Sequence, residues 1–375
     1  MPPTNKIRLS KSVVGTREAK ALSRIILEDG YLGMGKDVQL FEQELKRYFD
    51  TEREVICVNS GTAALHLAVM AAVKPADEVL VQSLTYLSSF QAISAAGAIP
   101  VPCEIIPETI TIDLKDAGRK ITNKTRAIMP VHYSGGAGDL NSIYDFAKTH
   151  NLRVIEDAAH AFGCVHKGKM IGAFGDICCF SFDGIKNITS GEGGAVVTND
   201  DEVIKFVKDA RLLGVQKDTE KRFEGQRSWK FEVTHQGYRY HMSNLFAAIG
   251  RVQLSRFPEF KKTRQALAKG YYRKLNNISC LERLNFNYEQ IVPHIYPVRI
   301  LNGKRDALME YLISKNIECG IHYYPNHLLK FYRNHELKLP VTEELYTQLL
   351  SLPLHPDLTQ KEQDYVIEQI KNFLT

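Results

Sequence analysis

Between Val154 and Asn199 the chain reads VIEDAAHAFGCVHKGKMIGAFGDICCFSFDGIKNITSGEGGAVVTN, placing an aspartate, a histidine and a lysine close enough to share one ligand. Asp157 and Lys186 are the pair with the clearest chemistry. A lysine amine condenses with an aldehyde, and a carboxylate keeps a pyridine nitrogen protonated, so together they suit pyridoxal phosphate, whose protonated ring drains charge from a substrate carbon. Taken singly, a strand-end aspartate is most often a cap and a lysine a solvated surface group. The pair therefore needs supporting context.

Val55–Val73, VICVNSGTAALHLAVMAAV, provides it. A short apolar strand runs through Asn59, Ser60, Gly61 and Thr62 into an Ala- and Leu-rich segment of strong helix propensity. Gly61 permits close backbone approach to an anion and Thr62 offers a hydroxyl. The free N–H groups and positive dipole end of the following helix favour negative charge. The dipole contributes about 0.3–1 kcal/mol when exposed and up to about 2 when partly buried, so a phosphate needs several converging donors. A Ser or Thr serving only as an N-cap is the plainer reading of SGT in isolation.

Elements that position these groups follow from the apolar pattern. LRVIED is a buried parallel strand ending on Asp157, at the carboxyl edge where open α/β sheets bind ligands. DICCFSF is a second buried strand. After it the chain turns through Asp183 and Gly184, presents Lys186, and returns through SGEGG into the strand AVVTN. FEQELKRYF puts Phe41, Leu45, Tyr48 and Phe49 on one helical face. Helical and strand-like segments alternate through the first two-thirds of the chain, as in a wound α/β sheet. Pro258 and nearby basic residues mark a change after the helix-like SNLFAAIGRVQLSRF. KRDALMEYLISKN and TQKEQDYVIEQIKNFL, the latter with Thr359 and Glu362 spaced as a capping box, read as helices of a smaller C-terminal domain. The expected division is 1–250 and 251–375, with the boundary near residues 245–260.

The 375 residues exceed what one core normally supports, and 44% hydrophobic content supplies ample apolar material. The net charge of +5 comes from scattered Lys and Arg with no basic block, so nucleic acid is not an expected partner. Seven cysteines show no C-x-x-C pairing. Cys178 and Cys179 point to opposite faces of a strand, so the set reads as buried thiols and no metal site is expected. The N-terminus MPPTNKIRLSKS lacks an apolar signal region and no uncharged apolar run is long enough to span a bilayer. A cytoplasmic protein without membrane association is the expectation.

The segments DGYLGMGKDVQLFEQELKRYF, NSGTAALHLAV, SLTYLSSFQAI, VHYSGGAGDL, VIEDAAHAFG, CFSFDGIKNITSGEGGAVVTND, GYRYHMSNLFAAIGRVQL and GIHYYPNH, in this order, resemble the DegT/DnrJ/StrS sugar aminotransferases. The resemblance covers nearly the whole chain. It implies the fold type I architecture of pyridoxal phosphate-dependent transferases: a large α/β domain with a mostly parallel seven-stranded sheet flanked by helices, plus a smaller C-terminal α/β domain. It implies that Lys186 is the Schiff-base lysine and proton shuttle, that Asp157 partners the pyridine nitrogen, and that His160 lies close to the ring's phenolic oxygen. Ser60, Gly61, Thr62 and Ser181 correspond to phosphate ligands. Tyr86 falls where relatives lay an aromatic ring against the cofactor, a contact worth about 0.5–1.5 kcal/mol beyond burial. His322, Tyr323 and His327 fall in a segment that lines the substrate side of the cleft. In many relatives GYRYHM reads GYNYRM, and the Asn reaches the cofactor phosphate of the neighbouring subunit. Here Arg239 replaces it, suited to pairing with a phosphate of either the cofactor or a sugar nucleotide.

The activity implied is transfer of an amino group from L-glutamate to a nucleotide-linked keto sugar in a homodimer whose sites are completed across the interface. The leading substrate is C4 of a dTDP-4-keto-6-deoxyhexose, with UDP and GDP carriers and C3 amination as alternatives. The product would serve a deoxyaminosugar of a surface polysaccharide such as O-antigen, or of a glycosylated metabolite. Relatives that dehydrate sugars at C3 carry histidine in place of the lysine, so Lys186 speaks against that chemistry. A non-catalytic regulatory protein on the same scaffold is the remaining rival.

Overall fold

The computed structural model describes residues 6–375, so the reading of the N-terminal segment falls partly, at residues 1–5, outside the described residues. Seven apolar pentapeptides build the central sheet: β1 (Glu54–Val58), β2 (Glu78–Gln82), β3 (Ile99–Cys103), β4 (Thr125–Met129), β5 (Arg153–Asp157), β6 (Ile177–Ser181) and β7 (Gly194–Thr198). Their spatial order is β1-β7-β6-β5-β4-β2-β3. β7 runs antiparallel to β1 and β6, and all other neighbouring pairs are parallel. This is the mostly parallel seven-stranded sheet expected from the resemblance.

Strand periodicity divides the core into two layers. Cys57, Leu80, Ile128, Val154, Cys178 and Phe180 enter one apolar cluster. Val58, Val81, Met129, Ile155 and Cys179 enter the other, so the adjacent cysteines do face opposite sides. The first layer is covered by α1 (Lys36–Phe49), through Phe41, Leu45 and Phe49, and by α4 (Asn244–Lys274). The second is covered by α2 (Gly61–Ala72) and α3 (Leu87–Ala95). Because α2 lies against both the sheet and other helices, it is apolar on nearly all sides.

C-terminal to these, β8 (Leu281–Arg283), β9 (Tyr296–Ile300) and β10 (Leu349–Leu352) form a three-stranded antiparallel sheet. Its apolar side chains join those of α5 (Arg305–Ser314) and α6 (Gln360–Leu374) in the same cluster as α1 and α4. The capping box of Thr359 and Glu362 is present at the start of α6. One local expectation is corrected. Pro258 does not interrupt the chain but lies inside α4, a single helix of 31 residues that runs through the expected boundary region. An interior proline costs about 3 kcal/mol, whereas each buried Phe or Leu contributes about 1.5–3 kcal/mol. Phe257, Phe260, Leu267 and Tyr271 keep α4 seated on the core across that position.

The loop after β5, which carries His160, is anchored by Phe162. Its ring stacks on Tyr48 at 5.1 Å and meets Phe257 edge-on at 5.0 Å. Gly163 adopts φ +82°, and a Cβ there would stand 2.3 Å from Phe257 Cζ, so only glycine allows the loop this close to α4. Phe162→Ala is expected to lower the unfolding free energy by about 3–5 kcal/mol in denaturant titration. Phe331→Ala, at a side chain 78% exposed, is expected to change it by less than about 0.5 kcal/mol.

Candidate active site

Ends of β1, β5 and β6 and the beginning of β7 meet at one edge of the sheet, around a cavity of about 450 Å³. Register brings Val58 and Ser181 both opposite Gly194. A Cβ on Gly61 would lie 2.7 Å from Ser181 Cβ, and one on Gly194 would lie 2.5 Å from the Ser60 carbonyl oxygen. The missing side chains are what let these segments touch. Ser181 thus sets a requirement for glycine at position 61 in addition to the approach of an anion expected from the sequence.

Ser60 is both cap and cavity wall. Its Oγ accepts the N–H of Ala63 at 3.1 Å, leaving the hydroxyl proton to donate into the cavity. Thr62 Oγ1 lies 2.7 Å from Ser88 Oγ, which stands in the first turn of α3. Ser60, Thr62, Ser88 and Ser181 all line the cavity beside the open N–H groups of α2, an arrangement suited to a phosphate.

Asp157, at the end of β5, is buried in the wall. Its Oδ2 accepts from Ser89 Oγ at 2.7 Å and its Oδ1 from the Ala159 N–H at 3.2 Å; Thr85 Oγ1 lies 3.0 Å from Ser89 Oγ. Burial pushes the carboxyl above the usual carboxylate range, opposed by Ser89, Ala159 and the charges of Lys186 and His132. In the protein alone burial prevails, so the carboxylate is held by neutral donors and is suited to a cationic partner in the cavity.

Lys186 enters from the turn after β6, where its N–H donates to the Asp183 carbonyl at 3.0 Å. The neighbouring Asn187 Nδ2 donates to the carbonyls of Phe162 at 3.1 Å and Val292 at 2.9 Å, fixing the turn against the Phe162 loop. Burial lowers the amine from the ordinary 10.5 to about 8, against the pull of Asp183 and Asp157 and with help from the Arg264 guanidinium. At pH 7 roughly one molecule in ten then holds a neutral, nucleophilic amine, against a few in ten thousand for an exposed lysine.

His160 is buried and kept neutral by desolvation. Its Nδ1 accepts the Ser134 N–H at 3.3 Å, so Nε2 carries the proton and donates to Tyr323 Oη at 2.9 Å. Both nitrogens, including the one expected to attend a ring oxygen, are engaged by protein groups. Tyr86 is 59% exposed at the cavity mouth, 5.6 Å from the Tyr323 ring. His322 also lines the cavity, and its Nδ1 bonds Ser351 Oγ at 2.8 Å.

Two expected residues stand apart. His327 is buried outside the cavity, with Nδ1 2.7 Å from Ser83 Oγ and Nε2 3.2 Å from Glu343, and so ties its loop to the end of β2. Arg239 is exposed and borders a separate pocket of about 130 Å³ together with Asp218 and His241. Conversely, the sequence reading did not single out Ser88, Ser89 or His294. The Ser-Ser pair following Tyr86 was a usable signal for the first two. His294, whose Nε2 lies 3.4 Å from Lys186 Nζ, had none, because 108 residues separate them.

The model of the DegT/DnrJ/EryC1/StrS aminotransferase family matches residues 14–371. The spore coat polysaccharide biosynthesis protein SpsC of Bacillus subtilis is 32% identical over 376 residues, covering 97% of this chain and 96% of its own. The sugar aminotransferase CalS13 from Micromonospora echinospora superposes with a TM-score of 0.89 at 28% identity, over 98% of this chain and 99% of CalS13. The PLP form of Spr1654 from Streptococcus pneumoniae superposes with a TM-score of 0.89 at 27% identity, over 98% of each chain.

Since the neutral amine is the reactive form and the pKa is lowered, reactivity of Lys186 is expected to rise with pH through a midpoint near 8. Below that it should fall about tenfold per pH unit. Reductive methylation of the cofactor-free protein, followed at Lys186 by mass spectrometry between pH 6 and 10, measures this midpoint.

Proposed function

The chain belongs to the DegT/DnrJ/EryC1/StrS aminotransferase family, and on that premise we propose that it is a pyridoxal phosphate-dependent enzyme transferring an amino group from L-glutamate to a nucleotide-linked keto sugar. One observation carries the reading: a lysine with a depressed pKa and a buried carboxylate share a cavity with the N-terminus of α2. These residues fit the cofactor. Ser60, Thr62, Ser88 and Ser181 with the α2 N–H groups would hold its phosphate, and Asp157 its ring nitrogen. Bound there, the cofactor supplies an electron sink that acidifies the substrate carbon bearing the transferred nitrogen.

Protein groups do the rest. Lys186 Nζ would take the proton from that carbon and deliver it on the same side to the cofactor's C4′, a task suited to an amine whose pKa burial has lowered to about 8. Asp157 accepts the ring N–H and holds its proton in place while Ser89 and Ala159 fix the carboxylate's angle. Tyr86 at the mouth would lie against the ring, and Tyr323, hydrogen-bonded to His160, bounds the substrate side. His327 is left with a structural part. Arg239, which borders a different pocket from the cavity of its own chain, fits a role toward the phosphate of a partner's site in a homodimer.

The acceptor we propose is C4 of a dTDP-4-keto-6-deoxyhexose, made for a deoxyaminosugar of a surface polysaccharide. Similarity to SpsC, which is named for polysaccharide biosynthesis, supports that destination. No helix among the described residues is long and apolar enough to cross a membrane, in keeping with a site of action in the cytoplasm.

Loading the protein with pyridoxal phosphate, treating it with L-glutamate and then offering 3-keto and 4-keto nucleotide sugars is expected to restore the visible absorbance only with a 4-keto substrate. Recovery with a 3-keto sugar moves the assignment to C3, and bound cofactor that ignores glutamate and every sugar favours the non-catalytic scaffold. Lys186→Ala is expected to lower turnover by at least about a thousandfold with cofactor phosphate still bound. Gly61→Ala, which forces Ser181 away, is expected to weaken pyridoxal phosphate affinity at least about tenfold in a fluorescence titration, since about 1.4 kcal/mol of lost contact suffices.

A further inference from the structure

We propose that His294 is a positioning residue for Lys186, its Nε2–H donating to the neutral Nζ and holding the free amine aimed into the cavity. The inference rests on the reading of Lys186 as the reactive amine. His294 is 4% exposed and lies just before β9, in the C-terminal part of the chain. Its Nε2 is 3.4 Å from Lys186 Nζ, and its Nδ1 is buried with no hydrogen-bond partner among the described residues.

That orphaned Nδ1 selects the tautomer. Were Lys186 an ammonium donating to Nε2, the imidazole proton would sit on Nδ1 as a buried N–H with no acceptor. If Nε2 carries the proton and donates to a neutral Nζ, Nδ1 is left with only an unused lone pair. Buried orphan donors are rarer in proteins than under-used acceptors, so the first arrangement carries a penalty that the second escapes, which shifts the amine toward its neutral form. Burial, the largest influence on it, holds His294 neutral, which removes the arrangement in which both ring nitrogens carry protons.

The surroundings agree. Asp157 faces the amine from the end of β5, His160 from the loop beyond it, Asp183 and Glu192 from the two sides of the turn after β6, and His322 and Tyr323 from the segment past α5. The two aspartates favour the ammonium, while burial and Arg264 favour the free amine. His160 has no nitrogen to spare, its two being bonded to Ser134 and Tyr323, and its ring centroid lies 4.5 Å from that of His294. The 294 segment is rigidly held. Arg264, 1% exposed, directs Nη1 at the carbonyls of Pro293, His294 and Leu354 at 3.4, 3.2 and 3.3 Å. A hydrogen bond to the neutral form lowers the amine's pKa without adding charge to the cavity.

The test compares the pH midpoint of Lys186 methylation by formaldehyde and cyanoborohydride in the wild-type chain, His294→Leu and His294→Gln, read by mass spectrometry. His294→Leu is expected to raise the midpoint by about 0.5–1 pH unit, the equivalent of one ordinary hydrogen bond. The sign is decisive, because a leucine makes the site more apolar and would by itself lower the midpoint. His294→Gln keeps an N–H donor and is expected to stay near wild type. A midpoint unchanged or lowered in His294→Leu, or one raised equally in both variants, overturns the proposal. Should the leucine variant fail to fold, a glutamine variant with a raised midpoint overturns it and one at the wild-type value supports it. Failure of the underlying reading looks different: the wild-type chain would then bind pyridoxal phosphate without linking it to Lys186, whatever the variants do.

Discussion

Enclosing a lysine and an aspartate in one cavity is the constraint on which the rest of this structure depends. Neither side chain is comfortable there: burial drives the amine toward its neutral form and the carboxyl toward its protonated one. Each is held by neutral hydrogen bonds and by the other's field, with no direct ion pair drawn between them to neutralise the site. The chain thereby keeps an amine and a carboxyl in the wall of one cavity, at the cost of stability that the two apolar layers must supply.

Sheet topology brings them to that cavity. β5 and β6 are parallel neighbours, so both deliver their final residues to one edge, and Asp157 pairs with Cys179 two residues before Ser181. The acid therefore lies deeper than Ser181, and the depth offset is built into register. β7, the reversed strand, begins at the same edge and permits a hairpin whose long loop, residues 182–193, presents Lys186 to the cavity. Gly61 and Gly194 close the gap between β1 and that hairpin, with no room for a Cβ at either position. Phe162 and Asn187 then brace the two loops against each other and against α4.

The C-terminal region completes the site from the far side of the sheet edge. His294, His322 and Tyr323 reach the cavity from segments more than 100 residues beyond Lys186. Arg264, on α4, is spent on backbone carbonyls of the 293–294 and 354 segments. A buried guanidinium used this way serves as a clamp on the loop, and its charge adds to the pressure on nearby amines and imidazoles to stay neutral.

Much of this was legible in the residues alone, for a local reason. Strand and helix periodicities, the SGT turn, the acid at the end of LRVIED and the lysine after DICCFSF lie within short windows, and their geometry follows from the period of the backbone. What the sequence could not determine were facts about space. Pro258 inside a continuous α4 depended on core contacts that outweigh a local penalty. The role of Gly61 depended on where Ser181 came to rest. His327 and His322, five residues apart, look alike in the chain, yet one is locked to Ser83 and Glu343 and the other faces the cavity. His294 is a neighbour of Lys186 only because the 292–294 segment packs on the turn, through Asn187 and the Val292 carbonyl. Sequence determined which elements form and which chemical groups they carry; tertiary structure decided which groups meet and in what protonation state, because burial and distance are properties of the folded arrangement and not of any segment within it.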